Sequence, residues 1–108
     1  MFAINLGGEG EIPGIINQQG PWALGPNWFC ARDGRTFAEL VATGDPYLIC
    51  PNIPLPLPDN TFDIVYTNGV PLNQVSLHGP GVQEAEIKRI LKPGGRWIKD
   101  GALEWTKP

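Results

Sequence analysis

The chain has 108 residues, enough for one domain, with a net charge of −3 and an isoelectric point near 4.9. No basic patch favours a nucleic-acid partner, no apolar run is long enough to span a bilayer, and no basic-then-apolar signal opens the chain. A soluble, cytoplasmic protein is the expectation. Glycine (14) and proline (12) leave room only for short elements joined by shaped loops. Cys30 and Cys50 read as reduced, mostly buried thiols; with one histidine, His78, they cannot form a four-ligand structural zinc site, and no metal is expected.

Phe2–Leu6 reads as a short strand running into the glycine-rich turn Gly7-Gly8-Glu9-Gly10-Glu11, where backbone amides can approach a ligand closely. Ile15-Ile16 is a second short strand. Pro13 and Gly14 leave no room for a helix between the two. The stretch from Gly20 to Phe29 is a loop carrying Trp22 and Trp28. Its aromatics either wall an apolar pocket or cover sheet surface that a helix would cover elsewhere. Thr36 and Glu39 form a capping box, and Phe37, Leu40 and Val41 share one stripe of a short helix. Gly44 suits the turn after it. Tyr47–Cys50 is the next strand.

The Leu55–Pro58 loop is paced by two prolines and followed by turn chemistry at Asp59-Asn60. Phe62–Tyr66 is then a β-branched and aromatic run of the kind found in central parallel strands. His78 lies in a loop near the same sheet edge as Asn68. A helix is expected from Gly81 to Lys92, with Ile87, Ile90 and Leu91 buried, stopped by Pro93-Gly94-Gly95. Arg96–Asp100 is the expected last strand and Gly101–Pro108 a tail.

Two of these segments carry a family resemblance. Leu55 to Val65 is similar to the loop and fourth strand of class I S-adenosylmethionine-dependent methyltransferases, with the pattern L-P-F-x-D-x-S-F-D-x-V. Glu86 to Arg96 resembles the E-x-x-R-V-L-K-P-G-G-R helix and turn of the same family. The chain thus looks like a truncated, methyltransferase type 11-like domain. The resemblance implies an α/β fold: a shortened Rossmann-like parallel sheet of about five strands, order 3-2-1-4-5, with few helices. The family's C-terminal antiparallel strand pair is expected to be absent, leaving the fifth strand as a bare edge. From that edge a homo-oligomer, with a dimer favoured, is expected through the last strand and the C-terminal tail.

The resemblance also implies a cofactor, S-adenosylmethionine, and residues to hold it. Asn5 stands where the family has an acidic residue, and Gly7, then Glu9 or Gly10, match its spaced glycines. Asn5, Gly7, Gly8 and Gly10 would hold the methionine part. Gln19 falls where the family has the aspartate that binds the ribose hydroxyls. The adenine contact falls on Pro51 or Asn52; only Asn52 could hydrogen-bond, with Ile53 beside it. Asn68 and His78 would handle the acceptor, His78 as a general base. The other reading of the same departures is a degenerate, non-catalytic remnant acting as a small homo-oligomeric binding or structural module. A dinucleotide-binding half-domain fits less well, because the first link is too short for a phosphate-binding helix.

Overall fold

The computed structural model describes residues 1–108. Its strands are β1 (Ala3–Leu6), β2 (Ile16–Gln19), β3 (Tyr47–Ile49), β4 (Phe62–Thr67), β5 (Val75–Ser76), β6 (Gly79–Pro80), β7 (Leu91–Lys99) and β8 (Ala102–Thr106). The helices are α1 (Phe37–Val41) and α2 (Glu84–Ile90), with a 3-10 turn at Pro21–Leu24. One six-stranded sheet runs in the order β3-β2-β1-β4-β7-β8, and β5 and β6 form a separate hairpin. The first five strands of that order are parallel, as expected.

The expectation that the sheet lacks an antiparallel pair at its C-terminal end is overturned. β8 pairs antiparallel with β7, so the fifth parallel strand is not a bare edge. The reason is local. Asp100-Gly101 is a two-residue turn with φ of 51° and 83°, and positive φ at both positions gives the turn whose twist matches a hairpin. Lys99 then pairs with Ala102 and Trp97 with Trp105. Helix α2 is also shorter than expected. Gln83 is extended before it, and Leu91 leaves it at ψ 141° to start β7.

Parallel strands covered on both faces read as near-continuous apolar runs, and β4 shows why. Phe62, Ile64 and Val65 are buried in it. The main core joins Ile4 and Leu6 of β1 to Val65, Trp97 and the Ile87, Ile90 and Leu91 stripe of α2 and its exit. Trp97 buries its ring and donates its indole N–H to Thr67 Oγ1 at 2.9 Å, so burial strands no polar group.

The two segments that carry the family resemblance meet in space. Arg89 of α2 donates to the carbonyls of Leu55 and Leu57 at 2.9 and 2.7 Å, and to Asp59 Oδ1 at 2.7 Å. It also bonds both oxygens of Glu86, whose Oε1 accepts the Leu55 N–H at 2.7 Å. A planar guanidinium with five fixed donors can serve all these acceptors together. The proline-paced loop is therefore pinned to the helix, and its position sets where β3 ends and β4 begins.

Candidate functional site

Side chains alternate across a strand, so Ile4 and Leu6 face the core while Asn5 faces the other side. Register places Asn5 beside Asn17, and Leu6 beside Gln18. β2 thus carries three consecutive buried amides, Asn17, Gln18 and Gln19. Buried amides must find partners, and these tie the strand ends to the loops. Gln18 Oε1 accepts the Gly7 N–H at 3.1 Å. Its Nε2 donates to Cys50 O at 2.9 Å and to Asn52 Oδ1 at 3.1 Å. Asn52 Nδ2 in turn donates to Pro80 O at 2.9 Å, holding the β5–β6 hairpin. Gln19 Nε2 donates to Gly8 O at 2.9 Å.

Above this floor lies a cleft of about 710 Å³, at the carboxyl ends of β1, β2 and β4 and just past β3. That is where open parallel sheets bind ligands. One wall is aromatic: Trp22, Trp28 and Phe29. Gly20 makes room for it, since a Cβ there would overlap the Trp22 ring. The facing wall comes from the loop after β4 and the β5–β6 hairpin, whose His78 stacks on Trp22 with ring centroids 6.1 Å apart. Glu9 joins the glycine turn to the aromatic wall by accepting the Ala31 and Arg32 amides at 3.0 and 3.3 Å.

Of the residues singled out in the sequence, Gly7, Gln19, Asn52, Asn68 and His78 come together around this cleft. Gly7 sits at φ 67°, and a Cβ on it would lie 2.5 Å from Val70 Cγ1. Asn5, Gly8 and Gly10 lie outside the lining. Gly8 is packed against the Asn5 and Asn17 amides, and Gly10 bonds Asn17 Oδ1 at 3.2 Å. Ile53 is also outside it, half exposed on the loop beyond β3. Sequence reasoning passed over Gln18, while the Trp22 and Trp28 loop, read as either a pocket wall or a cover for the sheet, lines the cleft. A run of three amides in a central strand was the available signal for Gln18.

Two titrations are displaced near the turn. Burial alone would raise the Glu11 carboxyl, but hydrogen bonds from Asn5, Asn68 and the Glu9 amide outweigh it and hold the group below the ordinary glutamate value. Burial, then the carboxylates of Asp45, Glu11 and Glu9, push the Tyr47 phenol up to about 12.

Comparison with known proteins matches residues 33–98 to the family described as "Methyltransferase domain". An uncharacterized methyltransferase of Schizosaccharomyces pombe is 54% identical over 41 residues, covering 38% of this chain and 14% of that protein. A sterol 24-C-methyltransferase of Gibberella zeae is 43% identical over 53 residues, 47% of this chain and 12% of that one. A ubiquinone/menaquinone biosynthesis C-methyltransferase of Paraburkholderia phytofirmans is 31% identical over 106 residues, 98% of this chain and 37% of its own length. The chain therefore spans little more than a third of these relatives at most. No helix in it is long and apolar enough to cross a membrane. No solved structure matches it. With its family match covering the proline-paced loop, β4, α2 and most of β7, the chain belongs to the methyltransferase domain family.

Proposed function

We propose that the cleft binds S-adenosylmethionine and that the chain passes its methyl group to an acceptor whose reacting part is apolar. The observation that carries this reading is the convergence of the loops after four parallel strands on one cleft, beside a glycine turn. The residues present suit the ligand in three ways. Gly7 lets the backbone approach closely where any side chain would meet Val70. Gln19, its Nε2 already bound to Gly8 O, keeps Oε1 as an acceptor for a ribose hydroxyl. The aromatic wall of Trp22, Trp28 and Phe29 suits a purine ring or a sulfonium cation, and Glu9 adds a carboxylate nearby.

When bound, the cofactor supplies an electrophilic methyl carbon on a sulfonium. What the chain contributes is proximity and alignment for an in-line displacement, in a cleft whose Phe29, Val70 and Val82 suit an apolar acceptor. His78, stacked at the Trp22 wall, would take the proton that an acceptor loses. Two of the relatives are named as C-methyltransferases, which agrees with such an acceptor.

One observation favours the other reading, a non-catalytic remnant. The Asn52 amide is buried and already bonded at both ends, to Gln18 and Pro80, which leaves at most one N–H and one lone pair for an adenine. Calorimetric titration of S-adenosylhomocysteine into the purified protein separates the two. Micromolar binding, worth about 8 kcal/mol, is expected. No heat up to millimolar ligand would leave the remnant.

A further inference from the structure

One carboxylate behind the glycine turn ties opposite walls of the cleft together. Glu11 lies on the link between β1 and β2 and does not itself line the cleft. Its Oε2 accepts from Asn5 Nδ2 at 2.7 Å and from Asn68 Nδ2 at 3.1 Å. Its Oε1 accepts the Glu9 N–H at 2.8 Å. Glu9 and Asn68 both line the cleft, on the loops after β1 and β4.

Three donors converge on two oxygens, and only a carboxylate offers acceptors at both ends. An amide in its place would turn an N–H toward at least one of the donors. The Asn5 side chain records how strongly that charge directs its neighbours. Asn5 is fully buried and spends its Nδ2 on Glu11 and, at 3.3 Å, on Asn17. Its own Oδ1 is left with no partner. An unmet buried acceptor is unfavourable, so the bonds to the Glu11 carboxylate are what fix the rotamer. No cation pairs with Glu11. The ionisable groups gathered around it and the adjoining Gly10 are Glu9, Asp45 and Tyr47, with Arg35 close enough to Tyr47 to act on it.

We propose that Glu11 is a positioning residue of the ligand site, whose ionised carboxylate sets the spacing between the Gly7–Gly10 turn and the Asn68 loop, and so the affinity of the cleft for an adenosyl ligand. The inference rests on the binding reading given above. It is tested with Glu11→Gln. This variant is expected to fold, to melt cooperatively, and to bind S-adenosylhomocysteine roughly ten-fold more weakly than wild type, the scale of one lost hydrogen bond. A ligand-free measurement accompanies it. In wild-type protein the side-chain amide resonances of Asn5 and Asn68 and the backbone amide of Glu9 should shift together, in one acid titration lying below the ordinary glutamate range. That joint shift should vanish in Glu11→Gln.

A folded Glu11→Gln protein that binds within two-fold of wild type overturns this inference and leaves the binding reading intact. So do three resonances that titrate apart, a result that decides the matter even if the variant fails to fold. Wild-type protein that binds no S-adenosylhomocysteine defeats the binding reading, and this use of Glu11 with it.

Discussion

The segment from Leu55 to Lys99 and the segment from Asn5 to Asn52 contribute to the same sheet, but they hold their polar groups differently. In the first, the polar connection is charged and lies toward the surface: Arg89, Glu86 and Asp59 around the proline loop. Its one fully buried polar side chain is Thr67, which serves Trp97. In the second, the buried polar groups are neutral amides, Asn5, Asn17, Gln18, Gln19 and Asn52. The difference matches the division of roles proposed above. A charged clamp with full partners holds a loop in one place. Neutral amides can exchange an internal bond for a ligand bond without leaving a bare charge in a buried site.

The largest effect should come from breaking the charged clamp. Arg89→Ala removes donors to two carbonyls and two carboxylates and leaves Glu86 largely buried without its partner. A loss of about 3 kcal/mol is expected by chemical denaturation. Its pH dependence identifies the cause. The hydrogen bond from Arg89 is the main reason the Glu86 carboxyl is held below its ordinary value of 4.5. A depressed carboxylate contributes stability above that value and loses it as pH falls through the lower, folded one. The gap between wild type and Arg89→Ala should therefore narrow below pH 4.5; a gap that stays constant down to pH 3 would point to lost packing instead.

Next in size is a change in the amide-rich half that acts on the ligand more than on the fold. Gly7→Val combines positive φ with a close approach to Val70, and should abolish S-adenosylhomocysteine binding at concentrations that saturate wild type. Gly14→Ala is its control. Gly14 also has positive φ, 79°, but nothing lies within 4 Å of the added Cβ. It should cost about 1 kcal/mol of stability and leave binding alone. Equal loss of binding in both variants would mean that backbone strain, and not the Gly7 contact, is being read. Gln19→Ala should weaken binding less, by roughly three- to ten-fold, the scale of one neutral hydrogen bond.

The same division explains what could be read from the sequence. The two segments that meet in the charged clamp were legible as recognisable local patterns, Leu55–Asp59 and Glu86–Arg96, but the clamp itself was not, because Arg89 reaches its partners across 30 to 34 residues. The capping box at Thr36 and Glu39 was legible as a local pattern too, and both of its bonds form. The β5–β6 hairpin was not, because strands of two residues carry no periodicity. Asp100-Gly101 between Ile98 and Leu103 was a hairpin signal, and reading the end of the chain as a tail passed over it. The placing of the site amides was hidden for the same reason as the clamp. Asn68 reaches Glu11 across 57 residues, and Asn52 reaches Pro80 across 28. Only the fold brings such pairs together, and an amide's sequence neighbours do not say which partner it will choose.

β8 changes where self-association would have to occur, and this gives the smallest of the expected effects. The dimer expected on a bare fifth strand would now form on the outer edge of β8, where Leu103 is 59% exposed. Two copies of one strand meeting about a two-fold axis pair antiparallel. Centred on Glu104, the pairing sets like charges opposite each other, which is unfavourable. Centred on Leu103, it sets leucine against leucine and Glu104 against Ala102, and Glu104 stays 3.9 Å from its own Lys99. The second register is therefore the expected one. Leu103→Lys would place two ammonium groups face to face on that axis, the device by which exposed strand edges avoid pairing. Sedimentation equilibrium should show the dimer weakened roughly ten-fold in Leu103→Lys, with S-adenosylhomocysteine affinity unchanged because the edge lies outside the cleft lining. A wild-type protein that sediments as a monomer across a wide concentration range would remove the edge from consideration, and a dimer insensitive to Leu103→Lys would move the interface elsewhere on the chain.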